Sequence, residues 1–317
     1  MNDRSIQSNW LIIVNPNAGQ GRGKKDWQRI SSLLQKYALS HYVHFTYAKG
    51  HAIKLTSESI RNGYRKFIVV GGDGTMNEVV NGIFLEKSCS PEHITLGMIT
   101  VGTGNDWGRM FGIPSDYEKA IKIIKANKNR LQDAGVVSYF HGNTREKRYF
   151  INIAGLGFDA MVAKRTNNQK EKGRNGKMLY IWSLLRTLMT YKHTQTEVII
   201  DGQKTNNPTL SISLGIGIYS GGGMCQTPKA LPDDGLFDVT IIKKMSRGDV
   251  IKSVRRLYDG SILEHPNIES YKGKDIQVDS SPLIHLEADG ESLGHSPFEF
   301  EIIPQSINII YNDFPLN

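Results

Sequence analysis

Residues 67–70 are four apolar residues that lead directly into Gly71-Gly72-Asp73-Gly74-Thr75. A short apolar run rich in β-branched residues predicts a buried strand. An apolar rhythm of helical spacing then begins at Met76 and continues through Val79, Val80 and Ile83. The sequence therefore predicts a strand, a glycine loop and a helix in succession, which is the building unit of an α/β domain.

The glycine loop has the chemistry of an anion site. Its backbone N–H groups lie beside a predicted helix N-terminus, whose partial positive charge favours anions. Asp73 within the loop would by itself repel a phosphate, so an acid there suits a Mg²⁺ ion between the carboxylate and the phosphates. The alternative is an ordinary glycine-rich turn with Asp73 as the helix N-cap, since short glycine motifs also occur by chance.

Two more predicted strands end in glycine loops. Residues 10–14 precede Asn15-Pro16-Asn17-Ala18-Gly19, and residues 95–100 precede the segment 101–109. The loop after residue 14 is not a Walker A motif, because the Gly-Lys-Ser/Thr ending is missing. Ligands of parallel α/β sheets bind outside the carboxyl ends of the strands. We therefore expect the three loops to form one site.

The pattern of predicted elements changes near residue 134. Before it, predicted strands alternate with predicted helices. Two of these helices span residues 27–37 and 118–126, and a third ends at residue 62. After it, long helices become scarce, and strands are predicted at 136–140, 149–153, 197–200, 210–218, 237–242, 298–302 and 307–310. The predicted fold is a three-layer α/β domain followed by a second, β-rich domain, a sandwich.

Composition limits the class of protein. A chain of 317 residues suits two domains. No apolar run approaches the roughly 18 residues of a transmembrane helix, and residues 1–10 lack a signal-peptide core, so a cytoplasmic location is expected. The net charge of +8 suits anionic membranes or nucleotides. No nucleic-acid-binding motif is visible, so nucleic acid is not an expected partner.

Two predicted helices in the second domain carry apolar or basic faces. A polar loop at 169–177 precedes an amphipathic helix at 178–191, which either covers a sheet or rims a lipid-binding mouth at a membrane. A basic helix at 250–257 either faces acidic lipid or is solvated.

Two acidic turns follow in the second domain. Pro232-Asp233-Asp234-Gly235 offers carboxylates and exposed carbonyls, which are oxygen ligands suited to Mg²⁺, although Asp-Gly turns are also common between strands. Residues 284–293 predict a strand that ends in Asp289-Gly290-Glu291, which is by itself a hairpin tip.

The segment 70–82, Val-Gly-Gly-Asp-Gly-Thr-Met-Asn-Glu-Val-Val-Asn-Gly, resembles the signature of the diacylglycerol kinase catalytic-domain family, in its soluble bacterial lipid-kinase branch. NAD kinases share only the Gly-Gly-Asp-Gly-Thr core. The loops at 15–19 and 102–109 and the segment 232–239 resemble further motifs of the family, with Trp107 where the family usually has Phe. The resemblance thus covers nearly the whole chain.

The resemblance implies roles for particular residues. Glu291 would be the catalytic general base, and Asp73 would act with a nucleotide-bound Mg²⁺. A structural Mg²⁺ would be held by the Asp234 carboxylate and the carbonyls of Leu231 and Leu236. ATP would contact Asn15, Pro16, Asn17, Ala18, Gly19, Thr46, Gly71, Gly72, Asp73, Gly74, Thr75, Met76, Asn77 and Thr103.

The resemblance also implies the activity and its organisation. Residues 1–134, with a return strand at about 304–317, would bind ATP, and residues 135–303 would form a β-sandwich for the lipid substrate. The expected reaction is phosphorylation of a neutral lipid by ATP, with diacylglycerol giving phosphatidate, and Glu291 must then face the pocket around Asp73. NAD kinase, a sphingoid or other lipid kinase, and a non-catalytic lipid- or nucleotide-binding protein are the alternatives. Peripheral contact with the inner face of the membrane and a homodimer are implied as well.

Overall fold

The computed structural model describes residues 9–171 and 177–313. The chain divides into two compact units, residues 1–134 together with 304–317, and residues 135–303. Of the described residues, no helix is both long enough and apolar enough to cross a bilayer.

The first unit alternates strands with helices. Its strands are β1 (Trp10–Val14), β2 (His41–Phe45), β3 (Lys66–Gly71) and β4 (Thr95–Thr100). Its helices are α1 (Ala18–Lys25), α2 (Trp27–Lys36), α3 (His51–Arg61), α4 (Asp73–Leu85), α5 (Asp106–Met110) and α6 (Tyr117–Ala126), with a 3₁₀ turn at Pro91–His93.

The second unit is rich in strands. They are β5 (Asn129–His141), β6 (Thr144–Phe150), β7 (Ile153–Gly157), β8 (Thr194–Ile200), β9 (Gln203–Gly215), β10 (Tyr219–Ser220), β11 (Met224–Cys225), β12 (Phe237–Lys243), β13 (Ile268–Gly273), β14 (Asp275–Ser281), β15 (His285–Ala288) and β16 (Glu291–Ile310). Its helices are α7 (Phe158–Glu171), α8 (Lys177–Thr190) and α9 (Arg247–Asp259), with a 3₁₀ turn at Ser261–Glu264. In sequence, β5 begins and β16 ends in the first unit.

The sheet of the first unit is parallel, with the order β2-β1-β3-β4, and the end of β16 pairs with β4 at Asn308 and Thr95. Ile12 and Val14 pack with α2 and α6 in one cluster. The alternate residues Leu11 and Ile13 are also fully buried, because successive side chains of a strand point to opposite faces and α4 packs on β3 with α3 beside it. The predicted three-layer α/β fold is confirmed, and the end of β16 lies beside β4 in this sheet.

The second unit is organised around a ring of antiparallel strands. β9, β7, β15, β16, β14 and β8 pair in that order, and β8 pairs back to β9. One apolar core of this unit includes Leu214 of β9, Phe298 and Phe300 of β16, and Phe237 of β12, which pairs with β9. The predicted β-rich second domain is confirmed.

Several predicted elements of the second unit differ from the structure. Long helices are not scarce there, since α7, α8 and α9 have 13 or 14 residues each. Residues 169–171 and 177, predicted to lie in a loop, belong to α7 and α8, and residues 172–176 lie outside the described part of the chain. The strand predicted at 149–153 is interrupted between β6 and β7, and the two closing strands are the single strand β16.

Candidate functional site

The three glycine loops of the first unit lie against one another, as predicted. Asn15 Nδ2 donates a hydrogen bond of 3.0 Å to Thr75 Oγ1, which joins the loop after β1 to the start of α4. Arg22 Nη2 donates to the carbonyl oxygen of Gly102 at 2.6 Å, which joins α1 to the loop after β4. All three loops follow the carboxyl ends of neighbouring parallel strands, where ligands of such sheets bind.

Glycine is required where these loops approach most closely. Gly19 has a φ of +60°, and a Cβ atom there would lie 1.7 Å from the carbonyl oxygen of Val101. A Cβ atom on Gly102 would lie 2.6 Å from the Cα atom of Gly72. A side chain at either position would force the loops apart, so glycine is what allows them to come this close.

The N-terminus of α4 is available to bind an anion. The helix begins at Asp73, and the N-cap residue is Gly72, which has no side chain with which to accept a hydrogen bond. The first N–H groups of a helix have no acceptor within it, and the helix dipole places partial positive charge there. The alternative in which Asp73 is itself the N-cap is wrong.

Asp73 bonds to the loop after β4. Its Oδ1 atom accepts a hydrogen bond of 3.1 Å from the backbone N–H of Trp107. A Cβ atom on Gly104 would lie 3.1 Å from Asp73 Oδ2 and 3.2 Å from Asp106 Oδ2, so both carboxylates flank this glycine. Burial raises the pKa of Asp73, and the N–H of Trp107 acts in the opposite direction. Two carboxylates beside an anion site fit the oxygen donors that Mg²⁺ prefers.

The predicted nucleotide contacts differ in their exposure. Asn17 and Thr103 are exposed on the loops. Met76 and Asn77, by contrast, are fully buried in α4, and the N–H of Met76 is bonded to the carbonyl of Gly72. Their side chains therefore belong to the core, and their contact with nucleotide stays a prediction.

Thr46 follows the end of β2, where its N–H bonds to the carbonyl of Val14 and its side chain is buried. His51 begins α3.

Sequence reasoning missed the role of Glu78. Its carboxylate accepts hydrogen bonds from the backbone N–H groups of Gly50 at 2.7 Å and Ala52 at 3.1 Å. These groups belong to the N-terminus of α3, so a glutamate of α4 caps a helix that precedes it in the chain. The partners are 28 and 26 residues apart, and no local capping pattern could have identified them.

In the second unit, Asp289 and Gly290 form a two-residue hairpin between β15 and β16. Both have positive φ, and Ala288 pairs with Glu291 across the turn, as in a type I′ hairpin. The Asp289 carboxylate accepts the backbone N–H groups of Ile151, Asn152 and Ile153 at 3.0 to 3.2 Å. The hairpin is thereby fixed to the segment between β6 and β7, and Glu291, half-buried, opens β16.

A second pair of acids, not predicted from the sequence, lies behind this hairpin. Glu287 Oε2 accepts the N–H of Gly290 at 2.9 Å, and Asp159 Oδ2 accepts from Gln226 Nε2 at 3.2 Å. A Cβ atom on Gly155 would lie 2.9 Å from Glu287 Oε1 and 3.3 Å from the Cβ atom of Asp159, so this glycine makes room for both.

Burial controls the ionisation of these two acids. It raises the pKa of Asp159 and raises the pKa of Glu287 to about 8, with a smaller contribution from the neighbouring carboxylates. Near neutral pH the Glu287 carboxyl group is therefore mainly protonated, and less negative charge collects around the hairpin.

The predicted structural metal site lies in the turn before β12. Asp234 Oδ1 accepts the N–H of Leu236 at 3.1 Å, and Asp234 Oδ2 lies 2.7 Å from Lys272 Nζ. Lys272 also contacts Asp238 at 3.4 Å. These bonds use two of about four lone-pair positions of the Asp234 carboxylate, so with the Leu231 and Leu236 carbonyls its donor set still fits Mg²⁺. Among residues 9–171 and 177–313 there is no cluster of three or more metal-ligating His, Cys, Asp or Glu side chains.

Comparison with known families identifies two matches along the chain. Residues 9–137 match the diacylglycerol kinase catalytic domain. Residues 152–311 match the YegS C-terminal NAD kinase beta sandwich-like domain.

Individual proteins are similar over nearly their whole length. The diacylglycerol kinases of Staphylococcus saprophyticus and Bacillus subtilis are each 30% identical, over 94% of this chain and over 93% and 95% of their own. A diacylglycerol kinase crystal structure from Bacillus anthracis superposes with a TM-score of 0.71 at 25% identity, over 96% of this chain and 97% of that one. Yeast NADH kinase, at 11% identity and a TM-score of 0.50 over 96% and 84%, shares the fold.

Proposed function

We propose that this chain, which belongs to the diacylglycerol kinase family and is a lipid kinase with an alcohol acceptor, transfers the γ-phosphate of ATP to diacylglycerol and forms phosphatidate. The observation that carries the proposal is the meeting of three glycine loops at the uncapped N-terminus of α4. The relatives named diacylglycerol kinase support the choice of lipid.

The nucleotide half of the proposal rests on the first unit. Backbone N–H groups at Asp73–Thr75 would bind phosphate oxygens, as helix N-termini do. Arg22, held at the Gly102 carbonyl, would add positive charge. A Mg²⁺ ion bound with the nucleotide neutralises charge on the transferred phosphoryl group, and Asp73 with Asp106 would hold it.

The acceptor half rests on Glu291. The lipid hydroxyl oxygen would attack the γ-phosphorus, the bond from that phosphorus to the bridging oxygen of ADP would break, and the hydroxyl proton would pass to the Glu291 carboxylate. Asp289 would hold this residue in place through its three hydrogen bonds to backbone N–H groups. The proposal requires Glu291 to reach the terminal phosphate of the nucleotide.

The remaining expectations follow from the same proposal. Asp234 and the carbonyls of Leu231 and Leu236 would hold a structural Mg²⁺. The substrate resides in a bilayer, so the enzyme would work as a cytoplasmic protein at the inner face of the membrane. The homodimer and the exclusion of nucleic acid stay predictions.

The test is phosphoryl transfer from γ-labelled ATP to a panel of acceptors by the purified chain. The panel contains diacylglycerol, monoacylglycerol, ceramide, sphingosine and phosphatidylglycerol in detergent micelles, and NAD in buffer. We expect labelled phosphatidate and a requirement for Mg²⁺. Labelling of another lipid would contradict diacylglycerol as the substrate, and labelling of NAD would contradict the lipid-kinase reaction. Nucleotide binding without any phosphoryl transfer would contradict both the substrate and the reaction.

A further inference from the structure

A cavity of about 540 Å³ lies in the second unit and contains none of the predicted site residues. It is formed where the C-terminal end of α8 and the N-terminal end of α9 meet strands β8 and β9. Leu188, Leu210, Met245 and Val250 give it an apolar wall and belong to one packed cluster. Its volume is within the range of small-molecule sites.

Three cations line the same cavity. Lys192 follows α8, Lys244 follows β12, and Arg247 opens α9. In the described part of the chain none of them forms an ion pair with a carboxylate. Asp249, the acid in the first turn of α9, accepts the hydroxyl of Ser246 at 2.7 Å. The cavity therefore has an excess of positive charge.

His193 lines the same cavity and lies near Lys244. Its pKa is lowered by burial and by the ammonium group of Lys244. Its Nε2 atom accepts the backbone N–H of Met245 at 3.3 Å, which is the bond of a neutral imidazole. The histidine thus leaves the positive charge of the cavity to the two lysines and the arginine.

An exposed apolar stripe borders the cavity. Trp182, Leu185 and Met189 are 45%, 44% and 63% exposed, and their spacing of three and four residues places them on one face of α8. The opposite face carries the buried residues Leu184 and Leu188. A helix that covers a sheet needs one apolar face, so the second face requires another explanation, and such patches mark membrane or partner contacts.

The stripe and the cations are physically connected. Arg247 Nη2 donates a hydrogen bond of 3.0 Å to the carbonyl oxygen of Met189. The most exposed residue of the stripe therefore lies beside a cation of the cavity. Apolar side chains next to unpaired cations match the arrangement of a bilayer surface, in which anionic head groups lie just above acyl chains.

We propose that this cavity binds the phosphate group of an anionic glycerophospholipid while the stripe at Trp182, Leu185 and Met189 enters the acyl layer of the bilayer. The shared chemistry is a phosphate bonded by two ammonium groups and a guanidinium, with an apolar tail against the adjoining wall. This goes beyond the proposed function, since the bound phospholipid is neither the acceptor nor the nucleotide.

The experiment measures binding of the full chain to vesicles in the absence of ATP and diacylglycerol, so that its result is independent of catalysis. Vesicles of phosphatidylcholine, with and without phosphatidylglycerol, are separated by flotation. We expect tight binding only with phosphatidylglycerol. The variant K244Q/R247Q should bind about thirtyfold more weakly, about fivefold for each charge lost at a membrane surface.

The matched control is K147Q/K274Q, which removes two charges from exposed lysines elsewhere in the second unit. We expect it to bind like the parent. Equal weakening by both double variants, or none by K244Q/R247Q, would overturn the proposal.

Unfolding transitions of all variants are recorded, and the exposed variant W182S/M189S tests the stripe without changing charge. It should lose vesicle binding and keep binding to short-chain, monomeric phosphatidylglycerol.

Calorimetry separates a lipid head group from a free ion. We expect the parent to bind short-chain phosphatidylglycerol at least about tenfold more tightly than inorganic phosphate, because one apolar tail segment adds about 1.4 kcal/mol or more. Equal affinity for both would make the cavity an ion site and overturn the proposal. If W182S/M189S binds vesicles with parental affinity, the stripe does not enter the bilayer, and that part of the proposal is overturned. The exposed stripe would then be better explained as a contact for a protein partner.

Discussion

Glu287 should make the stability of this protein depend on pH in a way that one substitution removes. Burial raises the pKa of this carboxyl group from an ordinary value of 4.5 to about 8. In that interval the group keeps its proton in the folded state and loses it in the unfolded chain. The unfolded state then binds fewer protons, so the free energy of unfolding falls as pH rises.

The size of the effect follows from the same two values. The stabilisation is complete below pH 4.5 and is lost as pH rises to about 8. At about 1.36 kcal/mol for each tenfold change in proton affinity, the full effect is at most about 5 kcal/mol. The variant E287Q is neutral at every pH and keeps an oxygen that accepts the N–H of Gly290. Relative to the parent it should therefore gain stability with rising pH.

The measurement is urea unfolding of parent and E287Q at pH values from about 5 to about 9. Titrating groups that do not interact with Glu287 are common to both proteins and cancel in the difference. The neighbouring carboxylates, including that of Asp159, make a smaller contribution than burial does. We expect the difference in unfolding free energy to grow by a few kcal/mol and to level off above pH 8. A constant difference across the range would refute the buried, protonated state of Glu287.

Four other predictions concern single side chains. E291Q should abolish phosphoryl transfer and leave ATP affinity and the unfolding transition unchanged; parental turnover would remove Glu291 from its role. G19A should weaken ATP binding by about tenfold or more, because its Cβ atom would lie 1.7 Å from the Val101 carbonyl oxygen; calorimetry that gives parental affinity would refute this. D289A should lose at least about 3 kcal/mol of unfolding free energy, since three N–H groups lose their acceptor, and D289N should lose less; equal losses would contradict the hydrogen-bond account. D234A should lower both the melting temperature and the bound Mg²⁺, and metal analysis that finds equal content in variant and parent would count against that site.

The elements of the first unit could be predicted from the sequence because most of them are marked by residues that are close together in the chain. Strands β1, β3 and β4 are short apolar runs. Each is followed by a loop with glycines, and Gly19 and Gly102 lie where those loops come closest. The hairpin at Asp289-Gly290 could also be predicted from the sequence. A two-residue turn of this kind has positive φ at both positions, and Asp-Gly is one of the residue pairs that adopt it.

Helix α7 was missed because its inward face carries few apolar residues. Phe158, Val162 and Thr166 are buried at helical spacing, but the last of them is polar and bonds to the carbonyl of Val162. The apolar residues at helical spacing therefore extend over only one turn, which is too short a pattern to predict a helix.

The acid pair Asp159 and Glu287 could not be found from sequence because it is created by strand pairing. β15 lies beside β7 through the register that pairs Glu287 with Gly155, and α7 begins directly after β7. Residues 128 positions apart in the chain thus meet above one glycine. The capping of α3 by Glu78 is non-local in the same sense.

The proposed phosphoryl transfer depends most on where Glu291 lies when nucleotide is bound. A crystal structure with Mg²⁺ and a non-hydrolysable ATP analogue would measure this directly. We predict that the terminal phosphate lies at the N-terminus of α4, with the Glu291 carboxylate facing it across a space that admits a lipid hydroxyl. A nucleotide bound elsewhere, or a Glu291 carboxylate turned away from that phosphate with solid core between them, would contradict the proposed kinase mechanism.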